Sequence, residues 1–125
     1  MTKRAARRPG AEGRDLDRIL SALADRTRRN VIDLLLHGPE RPAEIADRLG
    51  VSRPALSRHL RVLREAALIS DEGVDGDARG RRCVLEPDGL GSLRGWLDQA
   101  ERMWESQLTA FKAYAERAVK RGDRG

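Results

Sequence analysis

Apolar residues recur with the 3.6-residue period of an α-helix through most of this chain and depart from it only once. The first helical set is Leu16, Ile19, Leu20 and Leu23, at i, i+3, i+4 and i+7. Asp25 restarts the chain as a helix N-cap, and Val31, Ile32, Leu34, Leu35 and Leu36 supply the next apolar set. His37-Gly38-Pro39 ends that helix with Gly/Pro punctuation. A short third helix runs over residues 42–49, with Ile45, Ala46 and Leu49 facing inward. Gly50 is placed to turn the chain through the left-handed region. Ser52 then caps a fourth helix, and Pro54 sits in its first turn, where a missing N–H costs nothing. Helix, Gly-containing turn and capped helix make a helix-turn-helix pattern.

After Ile69 the period changes. Residues 68–72 and 81–86 read as two short strands, and the Gly- and Asp-rich stretch from Gly73 to Gly80 reads as the long tip of a β-hairpin. A hairpin directly after a helix-turn-helix is a wing. Pro87-Asp88-Gly89 breaks the second strand and starts a long helix over residues 88–120. Its seam is Leu90, Leu93, Leu97, Ala100, Trp104, Leu108, Phe111, Ala115 and Ala118, spaced three and four apart like a coiled-coil stripe. The pattern predicts a mainly α fold with one small β-hairpin. Residues 15–87 form a winged helix-turn-helix and residues 88–120 a long C-terminal helix of the same domain. Residues 1–14 and 121–125 read as tails.

The fourth helix carries the candidate chemistry. Leu56, Leu60, Leu63 and Ala67 share one face, with Val62 and Ala66 beside them, and this side packs inward. Arg53, Pro54, Ser57, Arg58 and Arg61 occupy the opposite face. Such a helix fits the DNA major groove, about 12 Å wide. There an arginine can hold guanine O6 and N7 in a bidentate pair, and a serine hydroxyl can meet a base or a phosphate. A solvated helix face has the same composition, but the Gly turn, the cap and the basic wing favour the DNA reading. His59 has Ala55, Val62 and Ala66 as helical neighbours and reads as a semi-buried structural histidine. Ser57 and His59 cannot be a catalytic pair, because positions i and i+2 do not face each other on a helix. With no Gly-rich phosphate loop and no nucleophile–base pair, the chain does not read as an enzyme.

Charge and composition refine the picture. The 125 residues carry a net +5, and residues 1–14 hold five basic side chains against Glu12. The remaining 20 basic and 19 acidic residues leave the body nearly neutral, so a nucleic-acid contact must rest on local clusters. The basic tail reads as a disordered leader or as an arm onto phosphates or the minor groove. Aromatic residues are 3% of the chain, so the core is aliphatic and small, the kind that a second subunit often completes. A lone cysteine, Cys83, excludes an intramolecular disulfide. The longest apolar run, Ala66–Ile69, is far too short for a membrane span, and no secretory h-region follows the basic N-terminus. A soluble cytoplasmic protein is the expectation.

The stretches "LADRTRRNVIDLL", "EIADRLGVSRPALSRHLRVLREAALI" and "GRRCVLEP" together resemble the winged helix-turn-helix repressors of the ArsR/SmtB type, over about residues 15–118. The resemblance implies a homodimer built by the first and last helices, with the recognition helix and wing of each protomer on double-stranded DNA. By position, Ser52, Arg53, Pro54, Ser57, Arg58 and Arg61 would face the groove, and Arg79, Arg81 and Arg82 would contribute from the wing. The partner-facing set would be Leu16, Ile19, Leu20, Leu93, Trp96, Leu97, Ala100, Trp104, Leu108 and Phe111. Two departures stand out: Arg26, where many relatives have Pro, and Ala67, where Gly is usual.

Metal-responsive relatives place cysteines on the helix before the recognition helix, or His and Asp/Glu on the last helix. Here residues 43–47 contain no Cys and residues 88–120 no His. No metal or cofactor is therefore expected. The last helix, with Trp96, Met103, Trp104, Phe111 and Tyr114, resembles a subgroup without metal sites. Its aromatics read as dimer core, or as a pocket for an unidentified small-molecule or protein effector. The expected function is a repressor reading an inverted repeat with half-sites about 34 Å apart. The alternatives are a metal- or redox-responsive repressor using Cys83 across the dimer, and a winged-helix protein-interaction module.

Overall fold

A computed structural model describes residues 9–73 and 80–124. Helices α1 (Pro9–Leu23), α2 (Arg26–Leu35), α3 (Pro42–Leu49) and α4 (Arg53–Glu65) precede a hairpin of β1 (Ile69–Glu72) and β2 (Arg82–Leu85). Helix α5 (Gly91–Arg124) ends the chain. The chain divides into two units, one up to Leu93 and one from Arg94 onward. Among the described residues no helix is long and apolar enough to cross a membrane.

In the first unit the inner faces of α1 to α4 and the hairpin meet in one aliphatic core. Ile19, Ala22, Val31, Leu35, Ile45, Ala46, Leu56, Leu60, Leu63, Leu68, Ile69 and Cys83 are all buried. No polar or charged side chain is buried among the described residues, so the core's cohesion is apolar burial, about 1.5–3 kcal/mol for each large aliphatic side chain. The strands are antiparallel, with Ile69 opposite Leu85 and Glu72 opposite Arg82. Glu40, in the loop before α3, bridges to the other side of β2. The Cys83 N–H donates to the Glu40 carbonyl at 2.7 Å, and the Glu40 N–H donates to the Cys83 carbonyl at 3.2 Å. The wing is thereby fixed to the helix-turn-helix at its base.

Several boundaries differ from the sequence reading. Helix α1 begins at Pro9, so residues 9–14 are its first turns and not tail; proline at a first helical position removes a donor that has no partner anyway. Residues 121–124, also read as tail, continue α5. At the other end α5 begins at Gly91 and not at residue 88, because Pro87–Leu90 form a turn closed by N–H groups of Gly89 and Gly91 onto the carbonyls of Glu86 and Asp88. A Cβ on Gly89 would stand 3.1 Å from the Ala67 carbonyl oxygen and 3.2 Å from Leu68 Cα, so this turn packs directly on the start of the wing.

Ala67 does not share the inner face of α4. The helix stops at Glu65, and Ala67 lies beyond it, exposed, with φ +57°. Its N–H donates to the Arg64 carbonyl at 2.9 Å and the Leu68 N–H to the Leu63 carbonyl at 3.0 Å, the paired bonds of a Schellman motif. Helix α3 ends in the same way at Gly50, φ +65°. From Arg94, α5 is a lone helix, and Trp96, Leu97, Met103, Trp104, Leu108, Phe111 and Tyr114 are exposed along it, Trp104 to 66% and Phe111 to 69%.

Candidate nucleic-acid interface

The site is the outer face of α4, and its placement begins at the helix start. Ser52 adopts an extended backbone and its Oγ accepts the Ala55 N–H at 3.2 Å, the capping role predicted for it. The oxygen is committed to the cap, which leaves the hydroxyl proton free to be donated. Leu56, Leu60 and Leu63 lock the inner side into the core. Arg53, Pro54, Ser57, Arg58 and Arg61 are all exposed on the outer side. Among the described residues, Arg53, Arg58 and Arg61 have no carboxylate within salt-bridge distance. Three unpaired guanidiniums around a serine on one rigid helix face make a surface suited to phosphates and guanine edges.

The wing residues divide. Arg81 and Arg82 are exposed, and Arg82 reaches across the hairpin to Glu72 Oε2 at 3.6 Å. Arg79 lies outside the described residues. A Cβ on Gly73 would come within 2.9 Å of Arg81 Cγ, so the two strands approach closely where the wing leaves the sheet.

Two arginines that sequence reasoning passed over organise the site. Arg64 donates through Nε at 3.2 Å and Nη2 at 3.0 Å to Asp71 Oδ1, pinning β1 to the end of α4. Arg28 lies where α1, α2 and α4 meet. Its Nε donates to the Ala22 carbonyl at 2.8 Å, its Nη2 to the Ser21 carbonyl at 3.1 Å, and its Nη1 stands 3.3 Å from His59 Nδ1. Arg29 Nη1 donates to the Leu23 carbonyl at 2.6 Å. The last carbonyls of α1, which no residue of that helix can satisfy, are thus met by two guanidiniums from α2. Asp25 caps α2 as predicted, accepting the Arg28 N–H at 3.0 Å, and that hydrogen bond holds its carboxyl below the usual aspartate value. His59 is half-buried in this corner, as its apolar helical neighbours suggested. The only hint in the sequence was the tight run Asp25-Arg26-Thr27-Arg28-Arg29; nothing in it pointed to α1 or His59.

Three residues singled out by the sequence lie in or against the core. Ile19 is 3% exposed within the protomer's own core, and Leu93 is partly buried against it. Cys83 is 0% exposed in the protomer's core, and burial pushes its thiol up.

A folded helix-turn-helix, a wing fixed at its base and an arginine-rich outer face define a winged-helix DNA-binding protein. Residues 25–71 match the family model described as "Bacterial regulatory protein, arsR family". The HTH-type transcriptional regulator Rv2034 of Mycobacterium tuberculosis (strain ATCC 25618 / H37Rv) is 46% identical over 99 residues, covering 78% of this chain and 86% of that protein. The transcriptional repressor SdpR of Bacillus subtilis (strain 168) is 38% identical over 56 residues, 45% of this chain and 62% of that one. An ArsR-like transcriptional regulator from Rhodococcus sp. RHA1 superposes with a TM-score of 0.73 at 26% identity, over 88% of this chain and 97% of its own. The chain belongs to the ArsR family of bacterial regulatory proteins. It is a transcriptional regulator and not an enzyme.

Proposed function

We propose that the protein is a dimeric, cytoplasmic repressor that reads an inverted-repeat operator through Ser52, Arg53, Pro54, Ser57, Arg58 and Arg61 of each protomer, with Arg79, Arg81 and Arg82 gripping the flanks. The carrying observation is the set of unpaired, exposed arginines on α4 beside Ser57, on a helix whose other side is fixed in the core. Repression is the named activity of the Bacillus subtilis relative, and occlusion of a promoter is the means proposed for it in this chain. The apolar stripe of α5, with Trp96, Leu97, Ala100, Trp104, Leu108 and Phe111, is a partner-facing seam, and Leu16 and the exposed Leu20 of α1 are a separate partner-facing pair. An unpartnered stripe of this size in water is a surface to be covered. A shallow groove of about 470 Å³ along it, between Trp96, Met103 and Trp104, receives partner side chains. The enclosure of Cys83 supports a signal other than a metal held by that thiol.

Gel shift with duplex from the protein's own upstream region tests this. Specific binding should weaken steeply as salt rises, with a log–log slope of about −0.9 per phosphate neutralised. Replacing both Ser57 and Arg58 by Ala should abolish preference for that duplex over a scrambled one. Retained preference refutes the assigned face, and salt-insensitive association without DNA affinity would indicate a protein-interaction module instead.

A further inference from the structure

We propose that Arg28 is the positioning residue of the DNA-reading helix, acting through His59. The inference rests on α4 being that helix. Among the described residues, the hydrogen bonds of the Arg28 side chain go to no outward-facing residue of α4. Its guanidinium instead uses three nitrogens on three acceptors: Nε on the Ala22 carbonyl at 2.8 Å, Nη2 on the Ser21 carbonyl at 3.1 Å and Nη1 toward His59 Nδ1 at 3.3 Å. The planar fork fixes these directions relative to one another, which a lysine could not do. The C-terminal end of α1 and the middle of α4 are therefore held by one rigid group, and Asp25 Oδ1 anchors the backbone N–H of that same residue at 3.0 Å.

His59 is adjacent to Arg58 and two residues past Ser57 on α4. A pull on its ring turns the helix about its own axis and so changes how Ser57, Arg58 and Arg61 meet a groove. The buried leucines fix which side of α4 faces the core, and small rotations within that packing remain for a directional contact to set. The hydrogen bond from the α1–α2 corner acts directionally at the middle of α4, as the Arg64–Asp71 pair does at its end. Asp25 Oδ1 also lies 3.9 Å from Nδ1, but the nearer Arg28 can only donate, so in the neutral ring the contact favours an acceptor Nδ1 and a proton on Nε2.

The test uses the full chain, its upstream duplex and a scrambled duplex of equal length. Arg28→Met and His59→Leu should each lower the ratio of specific to non-specific affinity by about tenfold, and the double variant should be no worse than the poorer single one, because the two residues act through one bond. Non-specific binding should stay within about twofold, since the phosphate-facing arginines remain. His59→Asn, whose Oδ1 falls near the position of Nδ1, should restore most of the ratio. A His59→Leu protein that unfolds leaves the His59→Asn comparison and the imidazole measurement decisive. Nitrogen NMR of the DNA-free protein should show Nδ1 unprotonated in the wild type and partly protonated in Arg28→Met. A protonated Nδ1 in the neutral wild-type ring, or variants that keep wild-type preference, would overturn the proposal. A wild-type protein that prefers neither duplex would instead refute the DNA-reading assignment, while the NMR result judges the Arg28–His59 bond separately.

Discussion

Ala67→Gly should make this protein more stable, although it removes a methyl group and adds nothing. Ala67 is held at φ +57° by the Schellman bonds that end α4. A residue with a Cβ in the left-handed region carries about 1–2 kcal/mol of strain, and Ala67 recovers none of it by packing, because it is exposed. Glycine removes the strain but makes the unfolded chain more flexible, which costs about 0.4–1 kcal/mol. The net gain is about 0.5–1 kcal/mol, or roughly 2–4 °C in Tm for a chain of this size. Gly50 supplies an internal control, because it ends α3 with the same hydrogen bonds at φ +65°, and Gly50→Ala should lose a similar amount. Thermal and urea unfolding at one fixed protein concentration measure both, since a dimer's Tm depends on concentration. If Ala67→Gly lowers Tm, or if Gly50→Ala raises it, the strain at these turns is not the governing term. The buried Leu63 and Leu68 would then outweigh backbone conformation there.

Arg26→Pro should also stabilise, by about 0.4–1 kcal/mol; Arg26 is the first residue of α2, and Asp25 before it already has the extended backbone (φ −97°, ψ 131°) that proline demands of its predecessor. The Asp25 carboxyl is held low chiefly by the Arg28 N–H it accepts, so its stabilisation is present above about pH 4, the unfolded aspartate value, and is lost as pH falls through the folded value. Asp25→Ala should therefore cost stability at neutral pH and flatten the acid side of a Tm-against-pH curve; an unchanged curve would mean that the cap contributes nothing. Glu44 has the opposite sign: sharing a hydrogen bond with Glu40 raises its carboxyl, so Glu44→Gln should relieve that contact at neutral pH and change little once acid has protonated the wild type. Phe111→Glu in the exposed stripe of α5 should shift the protein to monomer in sedimentation velocity without changing the helicity of residues 9–73, whereas a persisting dimer would place the seam elsewhere.

The local grammar of the chain was readable residue by residue. Asp25 and Ser52 cap where their positions predict, Gly50 turns where it stands, and Leu56, Leu60 and Leu63 face inward because a 3.6-residue period leaves them no other side. The outward set Arg53, Pro54, Ser57, Arg58 and Arg61 follows from that same period, so the candidate reading face was legible without coordinates. Helix ends were less so: Ala67 looked like a continuation of the apolar face because periodicity does not register where hydrogen bonds stop.

What no local pattern could supply were the contacts between elements distant in sequence. Arg28 reaches His59 across 31 positions, Glu40 pairs with β2 and Ile19 turns into the protomer's core. An arginine's sequence neighbours say only that it is polar; which acceptors its fork meets depends on how three helices pack. Ala67 shows both sides at once. The family resemblance marked it as a departure from the usual glycine, and the tertiary structure supplied the reason, a left-handed turn imposed by two hydrogen bonds at the end of α4.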